Sequence, residues 1–165
     1  MMVQIGFLTH QVTLLSHTLS TAWISTTVSA TAMAALFGRL VLARYADRID
    51  ARTPAMMALL LAAVALSALA LIPVPAILIG GSIVFGLTVG NVTTLQPIIV
   101  RRGFGAASFG AVFGVASCVI QLVTSLGPGF YGVLHDASGN YRVPLLLAAT
   151  LDVMAAVVVV VSRKQ

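Results

Sequence analysis

The sequence predicts an all-α integral membrane protein, a six-transmembrane-helix bundle forming a single domain over residues 1–165. Three observations predict it. Mean hydropathy is +1.08. Hydrophobic residues make up 59% of the chain and charged ones only 8%. Five apolar stretches approach the roughly 20 residues that a bilayer crossing needs. A soluble domain carries roughly 25% charged residues to wet its surface, and nine basic and four acidic side chains cannot do that for 165 residues. Intrinsic disorder is excluded by the same numbers, since it needs low hydrophobicity and high charge. The single cysteine, Cys118, leaves no disulfide framework and no cysteine-based metal site.

The spans follow in order. Residues 3–19 are short and interrupted by Gln4, His10, Gln11 and His17, which reads as a weak or incomplete first crossing. Residues 22–42 are rich in Ser, Thr and Ala and uncharged until Arg39. Residues 54–72 are mostly Ala, Leu, Val and Met, with Pro54 suited to a first helical turn. Pro73-Val74-Pro75 breaks the chain before a fourth span at 76–100. The fifth, 106–131, carries Gly127-Pro128, where a lost backbone donor and a flexible neighbour predict a kink or an end to the helix. The sixth, 143–161, contains one charge, Asp152.

Basic residues orient the bundle. Arg44, Arg48 and Arg52 lie between spans two and three, Arg101 and Arg102 after span four, and Arg163 and Lys164 after span six. These are alternate loops, so they share one side, and the positive-inside rule makes both termini cytoplasmic. The net charge of +5 is thereby absorbed as membrane orientation, and no nucleic-acid partner is expected. Trp23, Tyr131 and Tyr141 fall near the outer interface, where amphipathic rings settle.

Helices in lipid approach closely through small residues. Span four has Gly86-x-x-x-Gly90 and span five Gly110-x-x-x-Gly114, each a weak signal alone in Gly/Ala-rich segments. Polar groups in the spans are candidates for a transmembrane pathway. At 100° per residue, Thr88, Asn91 and Thr94 share a face within about 120°, and Ser117, Gln121 and Thr124 share one within about 60°. His10 and His17 share a face of span one, and Gln11 points elsewhere. For Ser and Thr the competing reading is interhelical hydrogen bonding that holds the bundle together, at about 0.6–2 kcal/mol per contact. His10 reads either as a neutral imidazole bonded to a carbonyl or as a proton-coupling group. Asp152, near mid-bilayer, must be protonated, paired, or tolerated at about 2.5–3.5 kcal/mol. No nucleophile elbow, zinc-protease motif, P-loop or usable carboxylate pair is present, so neither catalysis nor a metal or cofactor is expected.

Two loops resemble a known family. The stretch from Gly38 to Arg52, Gly-Arg-Leu-Val-Leu-Ala-Arg-Tyr-Ala-Asp-Arg-Ile-Asp-Ala-Arg, resembles the cytoplasmic loop motif of the major facilitator superfamily, in its second-half copy between helices eight and nine. Ala43 stands where a second glycine is common. Gly127 to Tyr141 looks like the end of helix eleven and its loop in bacterial members related to the monocarboxylate and oxalate/formate branch. Phe104-Gly105 and the run Gly6-Phe7-Leu8-Thr9-His10 agree in order.

The resemblance implies the C-terminal six-helix half, helices seven to twelve, with Met1 inside a truncated helix seven. It implies transport of a small organic solute, such as a monocarboxylate-like anion, by alternating access in a bacterial inner membrane. Helices seven, eight, ten and eleven would line the cavity, which makes Asn91, Thr94 and Gln121 cavity-facing and puts His10 and Gln11 near the outer mouth. Gly38, Arg39, Asp47, Arg48 and Arg52 would serve the cytoplasmic gate. Besides lipid and a small-molecule substrate, the implied partner is the missing N-terminal half, from the same longer chain, a separate protein or a second copy. The alternative is a six-helix remnant that binds a partner and transports nothing.

Overall fold

A computed structural model of the protein describes residues 1–45 and 50–161. Every regular element among them is an α-helix: α1 (Met2–Ser16), α2 (Thr21–Tyr45), α3 (Arg52–Leu71), α4 (Pro75–Ser138) and α5 (Arg142–Val161). Four of these, α2 to α5, are long and apolar enough to cross a membrane, while α1, at 15 residues, falls short of the roughly 20 required.

The structure thus has five helices where the sequence predicts six spans, because α4 takes in two of them. At 64 residues α4 far exceeds one bilayer crossing. Its helical geometry breaks at Gly105, whose φ of 73° and ψ of 172° suit a residue without a side chain. The chain bends there, since Pro97, Ile98 and Arg101 before Gly105 share a cavity with Ala106 and Phe109 after it.

Local chemistry sets the helix ends. Asp50 Oδ1 accepts the backbone N–H of Arg52 at 3.1 Å as α3 begins. Pro73 pushes Ile72 out of the helical region, to φ −128° and ψ 75°, and Pro75 then opens α4 at its first turn. Gly139 closes α4 in the left-handed region at φ 69°, its N–H donating to the His135 carbonyl at 2.7 Å. Arg142 Nε, at the head of α5, donates to the Ala70 carbonyl at 3.2 Å and satisfies the end of α3.

The expected break at Gly127 and Pro128 does not end the helix, which continues to Ser138. Proline removes one N–H donor at that point, and the turns beyond it remain helical. Gly127 serves packing instead: a Cβ there would overlap the Met2 carbonyl oxygen of α1.

The largest core cluster joins Phe7 and Leu15 of α1, Leu66 and Leu69 of α3, Leu78 and Phe85 of α4, and Leu145 of α5. Phe7 and Phe85 meet with ring centroids 4.4 Å apart. The two glycine pairs differ in use. Gly86 and Gly90 lie so close to α2 that an added Cβ would overlap the carbonyl oxygens of Thr31 and Ala35. Gly110 and Gly114 have nothing within 4 Å of an added Cβ. Large apolar side chains such as Phe37, Met57, Val64, Leu122 and Met154 face outward, an arrangement that lipid solvates and water would not.

Candidate functional site

Three helices meet around an open cavity of about 370 Å³, lined by Leu8 and Gln11 of α1, Val28, Thr31 and Arg39 of α2, and Gly86 and Val89 of α4. Gln11 is 1% exposed, and its Nε2 donates to Thr31 Oγ1 at 2.9 Å. The Thr31 hydroxyl in turn donates to the Thr27 carbonyl at 2.8 Å, so one hydroxyl serves as both acceptor and donor. Gly86 makes the wall possible by letting α2 approach α4 at Thr31. Arg39 supplies positive charge, and no carboxylate is among the described lining residues. With the Thr31 hydrogen committed to Thr27, the Arg39 guanidinium is the charged donor these apolar walls offer to a small solute that presents acceptor oxygens.

His10 points away from this cavity, as a neighbour about 100° around the helix must. Its Nε2 lies 3.1 Å from the Pro128 carbonyl, which can only accept, so Nε2 carries the hydrogen. In a neutral ring Nδ1 is then an acceptor, and Tyr141 donates its hydroxyl to it at 3.2 Å. Burial pushes the Tyr141 hydroxyl above its ordinary value, with the Asp136 charge adding to the rise, which keeps the donor protonated. His10 therefore ties α1 to the second length of α4 and to the loop before α5.

The remaining predicted residues do not converge on the cavity. Asn91 faces an apolar groove between α2, α3 and α4, with Phe37, Met57 and Leu61. Its Oδ1 is buried without a partner, beside the place where a side chain on Gly38 would be. Thr94 is half-buried and donates to the Gly90 carbonyl of its own helix at 3.0 Å. Gln121 is exposed. A helical wheel groups Asn91 with Thr94, and Gln121 with Ser117 and Thr124, without saying which neighbour each face meets.

Of the predicted cytoplasmic gate, Gly38 is buried against the Leu87 backbone, while Arg39 lines the cavity with Gln11. Arg52 stands half-buried at the start of α3. Asp47 and Arg48 lie outside the described residues.

Sequence reasoning missed two partners. Thr31 is the acceptor for Gln11, and the spacing of Thr27 and Thr31 on one face of α2 was the available signal. Gln4 of α1 reaches Asp152 of α5, its Nε2 3.5 Å from Oδ1. A pairing so distant in sequence leaves no local pattern.

Comparison with known proteins agrees with this architecture. No solved structure matches the chain. The 2-nitroimidazole transporter of Escherichia coli (strain K12) is 34% identical over 94 residues, covering 56% of this chain and 24% of that transporter. The chain thus matches about a quarter of this relative's length. The family model described as Major Facilitator Superfamily matches residues 2–165, which is nearly the whole chain. With apolar helices crossing on small residues and a polar cavity between three of them, the chain belongs to the Major Facilitator Superfamily.

Proposed function

We propose that this chain acts as the C-terminal, six-span half of a secondary transporter that moves a small organic solute by alternating access. The two lengths of α4 serve as separate crossings in this reading. The bundle rocks against an N-terminal partner half around a site between them. It sits in a bacterial inner membrane with both termini cytoplasmic, an orientation that the alternate basic loops support.

The observation that carries the reading is the buried Gln11–Thr31 pair beside Arg39 in an open cavity on one side of the bundle. A site open on one side is half of a binding site, and a second half would close it. The guanidinium favours a solute with two oxygens in a plane, which it can meet as a fork. A monocarboxylate has that feature, and so does the nitro group of a 2-nitroimidazole.

The test is uptake into proteoliposomes holding the full transporter that contains this chain, with a short monocarboxylate and 2-nitroimidazole as separate substrates. Gln11→Leu and Arg39→Gln should each cut uptake of the transported solute at least tenfold, with normal insertion. Full uptake by both variants would place the solute site elsewhere. No uptake of any small solute by the unaltered protein would favour a remnant that binds a partner.

A further inference from the structure

Asp152 lies midway along α5 and is 4% exposed, and Gln4 of α1 is 1% exposed. Gln4 Nε2 donates to Asp152 Oδ1 at 3.5 Å, a long bond. The other oxygen of each group, Asp152 Oδ2 and Gln4 Oε1, is buried without a partner. An ionised carboxylate only accepts hydrogen bonds, and so does an amide oxygen. Ionised, the pair therefore leaves two lone-pair oxygens unsatisfied where water is scarce, beside a charge that no ion pair among the described residues neutralises.

One proton removes the conflict. Placed on Oδ2, it lets the carboxyl donate to Gln4 Oε1 while Gln4 Nε2 goes on donating to Oδ1. Acid and amide then close a ring of two hydrogen bonds, and the charge is gone. The titratable groups that face Asp152 are the Tyr131 hydroxyl of α4 and the α-amino group of Met1 at the head of α1. No ion pair joins either of them to Asp152 among the described residues. An open cavity of about 410 Å³, lined by Gln96, Thr124 and Asp152, gives a proton its route in and out.

The geometry points to a proton-binding site made by Asp152 and Gln4, a carboxyl–amide pair that closes on protonation and ties α1 to α5. Losing the proton sets Oδ2 against Oε1 and loosens α1 from α5. The same helix carries Gln11 into the solute cavity, so protonation at Asp152 biases the position of a cavity wall.

Infrared difference spectroscopy on the purified protein in lipid tests this directly. The chain has four acidic side chains, and of the three besides Asp152, Asp50 and Asp136 are exposed. The spectra are taken at about pH 6, well above the free-aspartate value of about 3.9. A protonated-carboxyl C=O band should remain at that pH, disappear in Asp152→Asn, and move to higher frequency in Gln4→Leu, which removes the amide but keeps the acid. Asparagine can still donate to Gln4 Oε1, so Asp152→Asn should fold and hold α1 in place at every pH. If that variant fails to insert, Gln4→Leu decides alone. Absence of the band in the unaltered protein, or a band that Gln4→Leu leaves unmoved, would overturn the proposal.

Discussion

Replacing Gly90 by alanine puts a methyl carbon where the carbonyl oxygen of Ala35 on α2 already lies. The obstacle is backbone of another helix, so no rotamer change clears it and α2 must move off α4. A milder case on the same crossing gives the scale. A Cβ on Gly38 would sit 2.6 Å from the Leu87 carbonyl oxygen, against the 3.4 Å at which ordinary contact begins. Overpacking that forces backbone shifts costs about 1–3 kcal/mol, and rigid overlap of this kind belongs to the upper part, about 2–3 kcal/mol. Alanine recovers about 0.5–1 kcal/mol as a better helix residue than glycine. The net loss for Gly90→Ala is then about 1–2.5 kcal/mol, which is roughly 5- to 70-fold in the folding equilibrium. Gly110→Ala is the same chemical change with nothing within 4 Å of the new carbon. It should keep only the gain, about 0.5–1 kcal/mol of stabilisation. Unfolding of the detergent-purified chain by a denaturing surfactant, followed by circular dichroism, measures both. Equal effects from the two substitutions, or an unchanged Gly90→Ala midpoint, would refute the assignment of the α2–α4 crossing.

The same assay checks three further outcomes. Tyr141→Phe removes the donor to His10 Nδ1 while keeping the ring, and should cost about 0.5–1.5 kcal/mol. His10→Phe strips a partner from both Tyr141 and the Pro128 carbonyl, and should cost more than Tyr141→Phe does. Gly139→Ala forces a side chain into the left-handed region at φ 69° and should cost about 1–2 kcal/mol, with Gly139→Asn recovering part of the loss. An alanine at 139 without effect would contradict the cap that ends α4.

The membrane class was legible because thirteen charges among 165 residues is a global property that no packing detail can reverse. Helix ends were legible where they depend on local covalent chemistry, as at Pro73 and Pro75. Gly127-Pro128 misled for a related reason. Its composition signals a break, yet its use is close contact with α1, a tertiary fact. The two glycine pairs read identically as sequence and differ only in what faces them. The candidate site divided along the same line. Gln11 and Arg39 were visible as polar groups in apolar helices, but their meeting in one cavity depends on how α1 and α2 cross. Asn91 and Thr94 have similar residue types but meet other neighbours, an apolar groove and the Gly90 carbonyl. The Gln4–Asp152 pair joins the two ends of the chain, and no periodicity encodes such a contact.

The Gln11–Thr31–Arg39 cavity is proposed as half of a solute site that a second bundle completes. The most direct measurement is the composition of the native particle. A tag after Gln165, with mild membrane extraction and cross-linking from a cysteine placed at Ala32 beside the cavity, would identify what lies opposite. A second six-span bundle should face that position, in the same polypeptide, a separate protein or another copy of this chain. A particle of 17.1 kDa with only lipid against Ala32 would contradict it.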